Sequence, residues 1–262
     1  MIEARADTTT GNFILDTGAP GLVLNITYFR NYPTVLPASG GGITGSIPAV
    51  AHTTVGKFSF GAIKYNNLQA NVINLGHIED TRGMKIFGLL GVNLFKQFEM
   101  IIDYQRSVIY LHLIRRKESA IYKSEMLEDT LAYNTFPIDI TENKIITRAE
   151  VSGKKLNFIL DTGAESNVLD SRLPNRIFEN VTISRRVTLS GTGSEKVEAL
   201  YGDLKNLKIG NKTMEPLPIL ITNLEQMCLS YDYCIDGMLG FDFLSQHKIG
   251  FNFVKREMYL WK

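Results

Sequence analysis

The chain has 262 residues, enough to bury one or two cores. Its 28 basic and 27 acidic residues leave a formal net charge of +1, which gives no electrostatic footprint for nucleic acid. Hydrophobic residues make up 44%, ordinary for a globular protein, and no apolar run reaches the length needed to span a membrane.

The first segment, "MIEARADTTTG", is charged and polar, unlike a secretory signal. If a leader has been removed, the expectation leans to export, periplasmic or extracellular. Otherwise it is the cytoplasm. Next comes "NFILDTGA" (Asn12–Ala19), an apolar run that ends in an acid, a hydroxyl and a glycine. The same eight letters return at Asn157–Ala164, 145 positions later. After "ASGGGITGS" (Ala38–Ser46), a glycine-rich stretch, follow "KFSF", "ANVINL", "EMIIDY" and "SVIYL". These are short runs of Ile, Val, Phe and Tyr bounded by Gly, Asn, Lys or Asp, and they read as strands. "IIDYQRSVIYL" reads as a hairpin. "VNLFKQF" and "FDFLSQH", each behind a glycine, are the short-helix candidates.

The repeat extends well beyond eight letters. "IEARADTTTGNFILDTGA" lies beside "TRAEVSGKKLNFILDTGA". After a four-residue shift, Phe58–Leu75 meets Leu207–Leu224 and Phe87–Leu111 meets Asp236–Leu260. Two such copies predict two homologous lobes, residues 1–113 and 135–262. The charge-rich segment 114–134 between them would be a linker with a helical turn or two. The predicted fold is all-β, each lobe a small closed or folded-over sheet with few short helices. The second copy also has an extended segment, "FPIDITENKI" (Phe136–Ile145), whose counterpart would precede Met1. A natural precursor with a longer N-terminus is therefore expected.

A single Asp-Thr-Gly behind a strand is ordinarily an Asx-type turn. Two copies on lobes packed about a pseudo-twofold axis can bring equivalent acids together. Asp16 and Asp161 would then share one proton, because two adjacent carboxylates cannot both ionise cheaply. The ionised partner can take a proton from water, and the protonated one can donate to a carbonyl. No metal and no cofactor is required. The scattered His52, His77, His112 and His247 form no metal motif, and Cys228 and Cys234 leave a short-loop disulfide or two reduced thiols equally open. Tripeptides at Asn25, Asn180 and Asn211 fit an N-glycosylation pattern that arises often by chance.

"ILDTGA" followed much later by Leu89-Leu90-Gly91, and again by Met238-Leu239-Gly240, resembles the retropepsin-like aspartic proteases. The likeness runs through nearly all of both repeats. The chain looks like both halves of a retropepsin dimer fused, in the overall two-lobe arrangement of the pepsin-like enzymes. The resemblance implies two acid-protease-type β-barrel lobes, with Asp16 and Asp161 as the catalytic aspartates. Thr17 and Thr162 would cross-link the two loops. Gly18 and Gly163 would let backbone N–H groups approach the carboxylates, and Leu90-Gly91 and Leu239-Gly240 would pack beneath. The flap would be formed by the first glycine-rich stretch, with Gly41 and Gly42, and by "SGTGSEK" (Ser190–Lys196), with Gly191, Thr192 and Gly193. Neither stretch holds a tyrosine, which sets the chain apart from pepsin-like flaps. The implied activity is that of an aspartic endopeptidase on polypeptide, a monomer acting as a pseudo-dimer. The alternative is a catalytically silent peptide-binding or regulatory protein on the same fold.

Overall fold

The computed structural model describes residues 1–42, 45–189, 197–231 and 234–262, and their side chains except those of 36–42, 45–50 and 229–231. Strands dominate. The first lobe holds β1 (Ile2–Ala6), β2 (Thr9–Leu15), β3 (Leu22–Asn25), β4 (Val35–Gly42), β5 (Gly45–Phe60), β6 (Ile63–Ile73) and β7 (Gly88–Leu90). It also holds α1 (Gly76–Arg82) and a 3-10 turn at Val92–Phe95. The hairpin β8 (Phe98–Asp103) and β9 (Val108–Leu113) closes it.

The strand order β1-β2-β7-β3-β6-β5 returns to β1, since Arg5 and Ala6 pair with Ser59 and Phe58. That closure makes a six-stranded barrel and leaves β4 as a flange on β5. Alternation sets the inside: Phe13 and Leu15 of β2 point into the main core, and Ile14 between them faces a smaller cluster.

The second lobe repeats the plan. It runs β10 (Tyr133–Thr141), β11 (Lys144–Val151), β12 (Lys154–Leu160), β13 (Val168–Asp170), α2 (Asn175–Phe178), β14 (Val181–Leu189) and β15 (Val197–Leu204). The pairs β16 (Lys208–Ile209) and β17 (Lys212–Thr213), β18 (Leu217–Thr222), α3 (Glu225–Tyr231), β19 (Gly237–Leu239), α4 (Phe241–Leu244), β20 (Ile249–Asn252) and β21 (Glu257–Trp261) follow. The single long strand β5 of the first lobe is split here into β15 and β16. Asn206, at φ 59°, turns the chain between them. The closing contact survives the break, with Ala149 opposite Ile209 and Glu150 opposite Lys208.

The lobes are joined by main-chain hydrogen bonds. β8 pairs antiparallel with β20, and Ile101 stands opposite Gly250, its own counterpart in the repeat. Met100 faces Phe251 while Ile102 faces Ile249, so the register exchanges equivalent residues. That is the signature of a twofold-related contact, here within one chain. β9, β8, β20, β21 and β10 form one joining sheet, and "FPIDITENKI" supplies much of β10. Phe95, Met100, Phe136, Phe251 and Phe253 pack beneath it in the core that runs through both lobes. The expected hairpin at β8–β9 and both short helices after the glycines are present. The segment between the repeats contains one 3-10 turn, Glu125–Leu127.

Gly91 shows how tightly the second repeated motif is packed. A Cβ there would lie 2.5 Å from Gly21 N and 2.6 Å from Gly21 O, and would also strike Ala19 O. Backbone cannot yield as a side-chain tip can. Gly91→Ala is therefore expected to destabilise the protein by about 1–3 kcal/mol, read as a lower denaturation midpoint with unchanged m-value. An unchanged midpoint would show that this contact relaxes freely.

Candidate active site

Each Asp-Thr-Gly begins where a buried strand ends. β2 runs parallel to β7, with Leu15 beside Leu90, and Asp16 N then donates to Leu90 O at 3.0 Å. β12 runs parallel to β19, with Leu160 beside Leu239, and Asp161 N donates to Leu239 O at 3.0 Å. The second motif of each repeat thus clamps the strand that delivers the acid.

Within each loop one carboxylate oxygen is fixed by backbone. Asp16 Oδ1 accepts from Gly18 N at 2.9 Å and Ala19 N at 3.1 Å. Asp161 Oδ1 accepts from Gly163 N at 2.8 Å and Ala164 N at 3.2 Å. This is the Asx-type turn, present in both copies. Tertiary structure adds the meeting of the two turns. A Cβ on Gly163 would lie 2.6 Å from Asp16 Cγ, and a Cβ on Gly18 would strike the Asp161 carboxylate. Each glycine therefore makes room for the acid of the other lobe.

The two carboxyl groups are therefore close neighbours. Burial, then the adjacent Asp161 charge and its hydrogen bond, push Asp16 well above the usual carboxylate range, against the pull of the Gly18 and Ala19 N–H groups.

Thr17 and Thr162 lock the loops to each other. Thr17 Oγ1 donates to Leu160 O at 2.7 Å and accepts from Thr162 N at 3.0 Å. Reciprocally, Thr162 Oγ1 donates to Leu15 O at 2.8 Å and accepts from Thr17 N at 3.1 Å. Thr17 is 0% exposed, so its bond to Leu160 O runs where water cannot replace it, and the other three are partly buried. Together with the Ile101–Gly250 pairing they fix the pseudo-twofold axis at two points.

Apolar clusters back the loops symmetrically. Ile14, Ala19, Val23, Leu75 and Leu89 form one, and Ile159, Val168, Leu224 and Met238, with Ala164 packed on them, form the other. A pair that the sequence comparison did not single out anchors the outer turns. Asn25 Oδ1 accepts from Leu75 N at 3.2 Å, and Asp170, its counterpart, accepts from Leu224 N at 3.4 Å. Asn25 is 0% exposed and also donates to Ile86 O. The Asn25 side chain is therefore a core group, with no room for a glycan.

The first glycine-rich stretch lies on a hairpin, since β4 pairs with β5 and Gly41 and Gly42 stand opposite Ser46 and Gly45. β4 passes beside α3 of the other lobe. Its tip, residues 43–44, lies outside the described residues, as do Gly191, Thr192 and Gly193. The stem of the second hairpin is described, with Leu189 opposite Val197. Cys228 and Cys234 are free thiols, and Cys228 Sγ accepts from Arg172 Nη2 at 3.3 Å. Among the described residues no group of three or more His, Cys, Asp and Glu is placed to hold a metal ion, and no helix is long and apolar enough to cross a membrane.

The family model described as aspartyl protease matches residues 2–94 and again residues 147–243. The chain belongs to the aspartyl protease family and carries its domain twice in tandem. Among solved structures it is similar to a retropepsin-like aspartic protease from Rickettsia conorii, at 20% identity over 49% of this chain and 89% of that one, with a TM-score of 0.34. No curated protein matches it.

Proposed function

We propose that the protein is an aspartic endopeptidase in which Asp16 and Asp161 together activate water for attack on a peptide carbonyl. The observation that carries this reading is the reciprocal fit of each carboxylate against the other loop's glycine. One ionised and one protonated carboxyl give a base for the water and an acid for the carbonyl oxygen at once. The tetrahedral intermediate then collapses with protonation of the leaving amine, and no covalent enzyme adduct forms. One chain supplies both half-sites, so a monomer suffices. The β4–β5 hairpin, reaching toward α3, is the natural cover for an extended substrate.

The active state carries one proton on the pair. Activity should fall at low pH as the second carboxyl protonates. It should fall again as pH rises through the raised Asp16 titration, because both groups then ionise. A bell-shaped kcat/KM profile reaching above the ordinary aspartate range is the expected result with unfolded casein or a peptide library, and pepstatin should abolish it. Binding of peptides without cleavage at any pH would instead identify a silent, peptide-binding member of the family.

A further inference from the structure

β11 opens with a lysine that this mechanism does not use. The segment Lys144–Thr147 is buried throughout, and Lys144 itself is 5% exposed. Three of these four residues are uncharged and suit such a place. Sequestering an ammonium in protein costs several kcal/mol unless anions repay the desolvation, and a methionine would fill the same volume without that cost.

The strand register shows where the charge goes. On β11 and β12, Ile146 stands opposite Ile159. That ladder ends at the Ile146–Ile159 pair, so Lys144 and Asp161 lie two residues beyond it on adjacent chains. Asp16 and Asp161 from the two active loops and Glu142 from the β10–β11 turn are carboxylates whose charge favours the protonated lysine. On the strand facing it from the other side stands Thr141, which is uncharged.

We propose that Lys144 is a positioning residue of the site, a buried cation that stabilises the singly ionised Asp16–Asp161 pair from the strand beside Asp161. It touches neither water nor substrate in this role and acts through the aspartates. Burial draws the lysine below its usual 10.5, and the carboxylates Asp16, Asp161 and Glu142 oppose that. A cation nearby favours each anionic step of the pair, so it lowers both macroscopic titrations together. The range over which one proton is shared is thereby moved toward acid.

The proposal rests on the aspartic protease reading, and the test separates the two. In protein labelled with 13C at aspartate Cγ, the Asp16 and Asp161 signals are followed against pH in the wild type, Lys144→Met and Lys144→Arg. Both midpoints should rise by about one unit in Lys144→Met, the scale expected for removing a neighbouring unit charge in partly screened protein. Both limbs of the kcat/KM profile should move with them, giving about a tenfold loss on the acid limb. Lys144→Arg should restore the wild-type values. Unchanged midpoints in a folded Lys144→Met protein would overturn the proposal. If that variant does not fold, the wild-type Lys144 13Cε signal decides: a step at the aspartate midpoints supports the coupling, and its absence rejects it. Shifted midpoints in a protein that cleaves nothing would leave the charge coupling standing and reject the protease.

Discussion

Asp161→Asn is expected to lower kcat/KM by about 10³-fold or more while leaving the fold intact, since the pair loses the group that completes its acid–base couple. Asp161 sits at the end of β12, 9% exposed, with Oδ1 fixed by two backbone N–H groups. Asparagine keeps that acceptor and the shape, so the loop should stay in place. The same change should raise stability at neutral and alkaline pH. Asp16 in the folded state titrates above its ordinary 3.8, so folding stability is greatest at low pH and is lost progressively as pH rises through the raised value. Removing the neighbouring charge removes one cause of that loss, worth about 1 kcal/mol or more. Thermal denaturation of the two proteins at pH 4 and pH 8 checks the sign. Equal activity in the variant would sink the dyad mechanism. A variant that gains no stability at pH 8 over pH 4 would show that the two carboxyls are not coupled.

The second large effect is expected at Thr17. Thr17→Val keeps the volume and removes the hydroxyl that serves Leu160 O and Thr162 N. Both partners are then left without a hydrogen bond beneath the site. Each orphaned buried group costs about 1–3 kcal/mol, so the variant should lose about 2–5 kcal/mol. The loss bears on catalysis as well, because these bonds tie one aspartate loop to the other across the lobes. An error of about 1 Å in relative position can reduce rate on the order of a hundredfold. Thr17→Ser keeps the hydroxyl and should recover most of both quantities. Denaturant midpoints and kcat on one peptide substrate measure the two effects separately. A stable, fully active Thr17→Val protein would show that the two Thr162 bonds and the Ile101–Gly250 sheet suffice to hold the two loops in register.

By contrast, the exposed pair Arg82–Glu165, which also bridges the lobes, has N–O 3.7 Å and side chains 34% and 69% accessible. Solvent screening makes such a pair worth little. The lobes are held by buried main-chain and threonine bonds and by the shared core.

Much of the fold was legible because the repeat printed it twice. β2 and β12, the strands Gly88–Leu90 and Gly237–Leu239 beside them, and the short helices after Gly91 and Gly240 all lie at matched positions, with apolar periodicity that any strand or turn of this kind requires. The steric need for Gly18, Gly91 and Gly163 was not readable, since a side chain at each would strike a neighbour brought there only by the fold. The roles of Asn25 and Asp170 were not readable either. One is an amide and the other an acid, so letter-by-letter comparison hides that each accepts from the equivalent backbone N–H of its own lobe, Leu75 and Leu224.

The sequence by itself determined that there are two Asp-Thr-Gly turns, each at the end of a buried strand, because local hydrophobic pattern and turn chemistry act over a few residues. It could not decide that the two turns face each other. That depends on the Ile101–Gly250 register, on the reciprocal threonine bonds and on the close approach of each glycine to the opposite carboxylate, all contacts between residues more than a hundred positions apart. Lys144 makes the same point most sharply. In the sequence it is one more strand-edge lysine, and only the pairing of β11 with β12 brings its buried position to the end of the ladder from which Asp161 departs.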